Sequence, residues 1–267
     1  MVYSDIDWTI MGPGEDLTGV CRAIEKLYIN GLELVLVTAK SIYEVVNLAE
    51  KICMPLNRLI AVVESGGAIY TGRRLLTTIT GSKTINGVDL EYLQLGQLIP
   101  EFWHEVEDLI SRLHCRVSRL TGADAVRASE ITLLRPESAR YASMREYLEV
   151  LWSPDQQCLD RLGGMLAEMG FYIHRSARLL HIGMHKGKGV AVDVFRRRSI
   201  LGGGASIGLG DSEADKDYLE HMDHAIVIPT PDMRLRVRLN RVDYLIPPYP
   251  APRGWVYSID VILGMLR

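Results

Sequence analysis

Short, almost continuous apolar runs recur along the first quarter of the chain. Residues 32–37 (LELVLV) and 59–63 (LIAVV) have the pattern of strands that are buried on both faces of a parallel sheet. A third β-prone run, at the very start of the sequence, ends in Asp5 and Asp7. Polar or glycine-containing segments follow all three runs, so the sequence predicts three short buried strands.

Amphipathic segments lie between these strands. Apolar residues recur at helical spacing from Val20 onward, and Asn30-Gly31 is expected to end that helix. Ser41 and Glu44 have the spacing of a capping box at the start of a second helix. The order strand, helix, strand, helix, strand predicts right-handed βαβ units and an open parallel sheet with helices on both faces.

The pattern changes after about residue 68. Residues 69–80 are predicted to form a hairpin around Gly72, and short strands and helices then follow in a looser order, which favours a separate α+β layer. The strands are expected at 131–134, 147–152, 171–174 and 179–182, and the helices at 101–113, 138–145 and 155–169. We therefore predict a core domain of residues 1–80 and 181–267, with residues 81–180 inserted as an α+β cap domain.

The alternation of helices and strands that marks the first part of the chain returns after residue 180. A helix is expected at 187–198, strands at 205–208, 225–228 and 244–246, and a closing helix at 258–266. In open parallel sheets, ligands bind beyond the carboxyl ends of the strands. Asp5, Asp7, Thr38 and residues 64–67 all occupy such positions, so a functional site is expected at that edge.

Two pairs of aspartates follow predicted strands of the core. Asp5 and Asp7 would share a face if the first strand continued, or would converge from its end if a turn began at Ile6. Asp211 and Asp215 follow a later strand through a turn containing glycine. Carboxylates gathered at one edge repel one another unless a cation holds them, and Mg²⁺ prefers carboxylate oxygens. The four residues are therefore candidate Mg²⁺ ligands.

A phosphate site also needs cations and hydrogen-bond donors. Lys186, at the start of a predicted helix, is the leading candidate, and Lys188 competes for the role. Thr38 offers a hydroxyl and a backbone N–H at the end of a buried strand.

Composition narrows the function classes. The chain has 267 residues and a net charge of −3, which gives no electrostatic footprint for nucleic acid. No apolar run approaches the roughly 20 residues that a membrane span requires, so a cytoplasmic protein is expected.

The four cysteines have no CxxC pair and are interpreted as reduced thiols. Asparagine and glutamine total nine residues, which favours a heat-adapted source.

Two further groups of residues are interpreted as structural or surface residues and not as functional sites. His174, His181 and His185 lie in predicted strands and turns, which favours core or surface histidines over a metal site. Arginines alternate with apolar residues between 234 and 241, and we interpret this segment as a charged sheet edge, not as a nucleic-acid stripe.

Four stretches resemble, in order, the four motifs of the haloacid dehalogenase-like (HAD) phosphotransferases: Asp5-Ile6-Asp7-Trp8-Thr9, Thr38, Lys186 and Gly210-Asp211-Ser212-x-x-Asp215. Other stretches are similar to mannosyl-3-phosphoglycerate phosphatases: 38–41, 64–70, 145–147, 186–189 and 254–255. The resemblance spans nearly the whole chain and implies a Rossmann-like HAD core with an inserted cap.

The resemblance also implies a mechanism. Asp5 would attack phosphorus to form an aspartyl-phosphate, and Asp7 would protonate the leaving group and then activate water. Mg²⁺ would be held by Asp5, the backbone carbonyl of Asp7, and Asp211, with Asp215 in support. Thr38 and Lys186 would hold the phosphoryl oxygens. Candidate substrate-binding residues are Thr9, Lys40, Gly66, Arg145, Lys188 and Ser212, with Arg145 matched to a glycerate carboxylate.

The expected reaction is Mg²⁺-dependent hydrolysis of mannosyl-3-phosphoglycerate by a monomer or small homo-oligomer. The sequence departs from the family at Trp8, where glycine is usual, and at Ser65, where asparagine is usual. The Ser-Glu-Pro that tends to follow the Arg-Glu-Tyr region is not intact. One alternative is therefore a broader phosphatase for the glucosyl analogue, sucrose phosphate or hexose phosphates. The other is a phosphoester-binding protein that has lost turnover.

Overall fold

The computed structural model describes residues 1–176 and 178–265. The strands within these ranges are β1 (Val2–Ser4), β2 (Leu34–Val37), β3 (Ile60–Val63), β4 (Ala68–Thr71), β5 (Gly81–Ile85), β6 (Val88–Gln94), β7 (Ser118–Arg119), β8 (Leu148–Trp152), β9 (Tyr172–Ser176), β10 (Leu179–Gly183), β11 (Ile207–Gly210), β12 (His224–Val227) and β13 (Tyr244–Leu245). The α-helices are α1 (Val20–Ile29), α2 (Ile42–Lys51), α3 (Ile99–Arg112), α4 (Ala125–Thr132), α5 (Pro136–Ala142), α6 (Gln156–Glu168), α7 (Gly187–Arg198), α8 (Lys216–Leu219) and α9 (Arg253–Met265).

Nine strands form the larger sheet, in the order β13-β12-β11-β1-β2-β3-β4-β6-β5. The pairs from β13 to β3 are parallel, and the pairs from β3 to β5 are antiparallel. Strand β2 lies on one side of β1 and β11 on the other, so the strand order reverses at β1. Such a switch point places a ligand crevice beyond the carboxyl end of β1.

Helices cover both faces of this sheet, as the sequence predicts for an α/β fold. Alternate residues of a strand point to opposite faces. Val2 accordingly packs in a core with α1, α2 and α9, whereas Tyr3 packs in a second core with α7 and α8. The predicted capping box of α2 is present, because Ser41 and Glu44 each accept a hydrogen bond from the other's backbone N–H.

A second, antiparallel sheet has the order β7-β8-β10-β9. Helices α3 and α6 pack on one of its faces, and α4 and α5 cover part of the other. The division into a core and an inserted cap stays a prediction, but its first boundary moves. Strands β5 and β6 lie in the larger sheet, so the second layer begins only after Gln94.

Two of the predicted elements are wrong. The hairpin lies at Asn86-Gly87, between β5 and β6, and not around Gly72. Both turn residues have positive φ, the conformation that two-residue hairpin loops require, and Asn-Gly is the stronger signal for it. The strand predicted at 131–134 is the end of α4, whose first turn is capped by the Asp124 side chain.

Other boundaries shift by a few residues. Strand β11 begins at Ile207, and α9 begins at Arg253, five residues before the predicted start. The last predicted residue of that helix, Leu266, lies outside the described residues. Among the residues described, no helix combines the length and the apolar character that crossing a bilayer requires.

The prediction of four reduced thiols is wrong. Cys21 of α1 is disulfide-bonded to Cys53, and Cys115 to Cys158 of α6, with Cα–Cα distances of 5.1 and 5.8 Å. Sequence spacing does not reveal such pairs, because helix packing brings the partners together across 32 and 43 residues.

Both disulfides are expected to stabilise the protein measurably. Closing loops of these lengths constrains the unfolded chain, so losing either bond should lower the free energy of unfolding by about 3–4 kcal/mol. Urea unfolding of Cys21→Ser and of Cys115→Ser, with and without reductant, measures the effect. Four reactive thiols in the unreduced, unfolded wild type would contradict the pairing.

Candidate active site

The candidate residues gather at the carboxyl ends of β1, β2 and β11. The chain turns immediately after β1, because the N–H groups of Thr9, Ile10 and Met11 all donate to the carbonyl of Ile6. Of the two geometries left open by the sequence, this is the convergent one. Asp5 is buried, with its N–H bonded to the carbonyl of Leu209 at 3.0 Å. The Asp7 side chain is nearly half exposed, so the two carboxylates have different environments.

Lys188 is the cation at the centre of the site. Its Nζ donates to Asp5 Oδ1 and to Asp215 Oδ1, both at 2.7 Å, and its side chain is only 4 % exposed. Lys186, the leading candidate from the sequence, is exposed at the N-cap position of α7. Helix α7 begins at Gly187, so Lys186 precedes the helix, whereas Lys188 lies in its first turn and reaches the carboxylates.

Asp215 holds the second acidic loop in shape. Its Oδ2 accepts hydrogen bonds from the N–H groups of Asp211 and Ser212, at 3.1 and 3.0 Å, and from the Ser212 hydroxyl at 2.9 Å. Ser212 therefore caps this turn. Thr9 is fully buried, and its hydroxyl lies 3.5 Å from Asp211 Oδ1.

Asp5, Asp211 and Asp215 form an acidic cluster suited to a metal ion. Their carboxylates each offer an oxygen within 4.8 Å of the others. Burial and the neighbouring Asp215 raise the pKa of Asp211 to about 7, although Arg236 and Lys188 oppose the shift. Burial and Asp215 likewise raise the pKa of Asp5 well above its ordinary value. Lys188 and Arg236 together do not offset the burial and mutual repulsion of these carboxylates, whose hard oxygen donors fit a divalent cation.

Burial opposes the charge on Lys188, but Asp215 and Asp5 outweigh it and raise the pKa of the ammonium group. Lys188 is therefore a permanent cation. Together, the cluster and this lysine form a site in which a carboxylate, a metal position and a fixed positive charge adjoin.

Thr38 and Lys40 border the site at the end of β2. Thr38 is fully buried, and its hydroxyl accepts a hydrogen bond from the N–H of Lys40 at 3.1 Å. Lys40 Nζ lies 3.0 Å from Asp7 Oδ1 and 3.7 Å from Glu44 Oε1. This lysine therefore fixes the Asp7 carboxylate and connects it to the start of α2.

Gly66 serves the site through its backbone. It has a φ of 106°, and a Cβ there would lie 2.4 Å from the carbonyl oxygen of Gly187. A side chain at this position would push the loop after β3 away from the turn that carries Lys188. The contact explains why glycine is needed at Gly66 without requiring a ligand.

The structure does not place Arg145 where it could bind a substrate carboxylate. Its guanidinium is buried and donates to the carbonyls of Ala142, Leu148 and Ala39. It also lies 3.6 Å from Glu44 Oε2. The fork that resembled a carboxylate ligand instead joins the two sheets, because its donors are already satisfied by the fold.

Glu64, at the end of β3, also joins the larger sheet to the segment that leads into β8. Its carboxylate accepts hydrogen bonds from the backbone N–H groups of Glu146, Tyr147 and Leu148, at 2.7–3.1 Å. Burial raises the pKa of Glu64 to about 7, with Arg145 and these N–H groups opposing the shift. The sequence indicated Glu64 only as a residue at a strand end.

Sequence reasoning missed Arg236. The segment from 228 to 243 is a connection between β12 and β13 and not a sheet edge, and Arg236 Nη1 reaches Asp211 Oδ2 at 3.3 Å. Its guanidinium carbon also lies 5.0 Å from the centre of the Trp8 ring. Alternation with apolar residues gave no signal for either contact.

Two curated relatives match nearly the whole chain. Mannosyl-3-phosphoglycerate phosphatase from Aeropyrum pernix is 36% identical over 270 residues, covering 98% of this chain and 94% of the relative. The chain belongs to the mannosyl-3-phosphoglycerate phosphatase family. A glucosyl-3-phosphoglycerate/mannosyl-3-phosphoglycerate phosphatase from Persephonella marina is 24% identical over 278 residues, covering 100% of this chain and 98% of the relative.

Solved structures give the same fold. A haloacid dehalogenase-like hydrolase from Bacteroides thetaiotaomicron aligns with a TM-score of 0.67 at 15% identity, covering 98% of each chain. No protein-family model matches the sequence. The family of the relatives makes the chain a phosphatase, and the solved structures show a haloacid dehalogenase-like fold, so the enzyme class and the α/β fold predicted from the sequence are confirmed.

Membership of the mannosyl-3-phosphoglycerate phosphatase family makes Trp8 notable. Its φ is 63°, in the left-handed region, which costs glycine little and a bulky residue more. This backbone conformation accounts for the glycine that is usual at the position. In this chain the side chain is 38% exposed and lies beneath Arg236, so a surface contact accompanies the strained backbone.

Proposed function

We propose that this phosphatase hydrolyses mannosyl-3-phosphoglycerate to mannosylglycerate and phosphate, through an aspartyl-phosphate on Asp5 and with Mg²⁺. The observation that carries the proposal is the contact of Lys188 with the buried Asp5 carboxylate, in a chain 36% identical to a phosphatase of that name. Asp211 and Asp215 complete the acidic cluster.

Asp5 suits the role of nucleophile. Lys188 binds Oδ1 of its carboxylate, and this charge opposes the rise in the Asp5 pKa that burial and Asp215 cause, which favours the ionised form that attack on phosphorus requires. A bond forms from the second oxygen, Oδ2, to phosphorus, and the bond from phosphorus to the glycerate oxygen breaks. Thr38 and Lys188 stabilise charge on the transferred phosphoryl group.

Asp7 suits the role of acid and base. Its side chain is much more exposed than that of Asp5, so it can reach the leaving oxygen and the solvent. It donates a proton to the departing alkoxide and then takes one from a water molecule that attacks the phosphorylated Asp5. Phosphate leaves and the Asp5 carboxylate is restored. Lys40 positions Asp7 through both steps.

Asp5 and Asp211 would hold the metal, with the Asp7 carbonyl as in the family motif. When bound, a divalent ion supplies positive charge for the phosphoryl oxygens and offsets the repulsion between the carboxylates. Asp215 shapes the loop and holds Lys188, so it supports the site without needing to contact the ion.

A second candidate substrate is the glucosyl analogue. The relative from Persephonella marina is named for both compounds, and it spans the whole of this chain. The same Asp5, Asp7 and Lys188 chemistry would act on either compound, since the two sugars differ away from the phosphate.

Phosphate release from a panel tests the proposal. The panel contains mannosyl-3-phosphoglycerate, glucosyl-3-phosphoglycerate, sucrose phosphate and hexose phosphates, with Mg²⁺ present. We expect strong preference for the glycosyl-phosphoglycerates. A chelator should lower the rate by roughly 100-fold or more, because a metal contributes several kcal/mol to such transition states, and Mg²⁺ should restore it.

The other outcomes separate the rival functions. Equal turnover of hexose phosphates would overturn the proposed substrate and favour a broader sugar phosphatase. Full activity in the presence of the chelator would overturn the proposed metal dependence. Binding of phosphoesters by folded protein without any phosphate release would favour the catalytically impaired alternative.

A further inference from the structure

One face of the second sheet carries polar side chains that the proposed reaction does not use. Tyr172, His174 and Ser176 on β9 and His181 on β10 form this histidine face. His174 and His181 are direct cross-strand partners, and their ring centroids lie 5.6 Å apart. Their neighbours along the strands, Ile173 and Leu180, pack on the opposite side with α3 and α6.

The histidine face adjoins the phosphate end of the site. Tyr172 lies against His185, with the two ring centroids 4.5 Å apart and the ring planes tilted by 32°. A Cβ on Gly187 would lie 3.2 Å from the Tyr172 ring. Strand β10 ends at Gly183, five residues before Lys188. The face therefore continues from the turn that carries the catalytic lysine.

One ring nitrogen of His181 lacks a hydrogen-bond partner among the described residues. Its Nε2 lies 3.1 Å from the Ser176 hydroxyl, but Nδ1 is buried and has no partner among the residues that the structure describes. A buried polar atom without a partner costs about 1–3 kcal/mol. Such an atom on a face beside an active site is expected to meet a ligand.

We propose that the histidine face binds hydroxyl groups of the sugar ring of the substrate, with His181 Nδ1 as the central contact. This inference rests on the proposed function, because it assigns a place to the glycosyl group of that substrate. His181 and His174 thereby become specificity-determining residues for the reaction.

The charge state of the two histidines favours binding of a hydroxyl group over binding of a carboxylate. Burial lowers the pKa of His174, and burial with the nearby Arg145 lowers that of His181 well below its ordinary value. A neutral imidazole offers one donor and one acceptor, which is what a sugar hydroxyl can match. A glycerate carboxylate would instead be matched by a cation.

The distance from the phosphate end to the two histidines also fits the length of the proposed substrate. A strand rises about 3.3–3.4 Å per residue, so His174 lies about 7 Å beyond Tyr172, away from the phosphate end. A glycerate unit separates the phosphate from the sugar in the proposed substrate. The sugar would then lie at the level of the two histidines while the phosphate contacts Lys188.

Two substitutions separate the two nitrogens of His181. His181→Gln keeps a polar group near Nε2, where Ser176 binds, but removes Nδ1, whereas His181→Asn keeps a polar group near Nδ1 and loses the Ser176 contact. The measured quantity is the ratio of kcat/KM for mannosyl-3-phosphoglycerate to kcat/KM for p-nitrophenyl phosphate, which has no sugar. We expect His181→Gln to lower this ratio at least tenfold, mainly through KM, and His181→Asn to lower it much less.

His104→Gln, on the exposed surface of α3, is the matched control and should leave the ratio at the wild-type value. A merely structural role would make His181→Asn the more damaging change, or would lower both rates equally, and either result overturns the inference. A wild type that cleaves the glycosyl compound, with the ratio unchanged in His181→Gln, overturns this inference alone. A wild type that cleaves p-nitrophenyl phosphate but no glycosyl-phosphoglycerate overturns it together with the proposed function.

Discussion

Asp5→Asn is expected to abolish phosphate release, lowering kcat by at least about 10⁴-fold, as the loss of a nucleophile does in other covalent enzymes. Asparagine has nearly the same shape and can still accept a hydrogen bond from Lys188. The amide cannot form the aspartyl-phosphate, so the first step fails while the site remains assembled. Steady-state kinetics with mannosyl-3-phosphoglycerate measures the loss.

Two controls make the Asp5 result specific. Asp108→Asn, an exposed aspartate on α3, should retain wild-type kcat. Mass spectrometry of acid-quenched wild type should find phosphate on the peptide containing Asp5, and Asp5→Asn should lack it. Residual turnover of Asp5→Asn near the wild-type rate would show that water attacks phosphorus directly.

Lys188→Met is expected to lower kcat by roughly 10³-fold, since it removes a fixed charge from the transferred phosphoryl group. It also leaves Asp5 and Asp215 buried without their shared partner, and breaking a buried ion pair costs about 3–5 kcal/mol of stability. Kinetics and urea unfolding measure the two effects. Because low stability could itself remove activity, kcat is compared at a temperature where the variant is folded.

Lys186→Met is the matched partner of that experiment. Lys186 is exposed, so its loss should change kcat by less than about threefold and leave stability nearly unchanged, as surface substitutions usually do. The opposite pattern, with Lys186 essential and Lys188 dispensable, would return the catalytic role to the residue favoured by the sequence.

The core fold could be predicted because its signals are local. Runs such as 34–37 and 60–63 are short and apolar at every position, which is typical of strands covered on both faces. The strand predicted at 131–134 is wrong because its signal is ambiguous. Ile131 reads equally well as helix or strand, and only the Asp124 cap and the packing of α4 decide between them.

The carboxylates of the site could be predicted as well, because Asp5 and Asp211 directly follow β1 and β11, and Asp7 and Asp215 come a few residues later. The choice between Lys186 and Lys188 could not, since both stand beside the start of the same helix. It depends on where the first turn of α7 begins, which the close approach of Gly66 and Gly187 determines. The contacts of Arg145 and Arg236 could not be predicted for a similar reason, because each reaches a partner far away in the sequence.

The sheet order has a consequence for how the enzyme matures. Strand β1 pairs with β2 on one side and with β11 on the other, about 200 residues later in the chain. Asp5 is made early in synthesis, whereas Lys188, Asp211 and Asp215 arrive in the last third. Contacts between such distant segments form late, because closing a long loop carries an entropy cost. A nascent chain therefore has no complete catalytic site, and phosphatase activity should appear only when β11 docks beside β1.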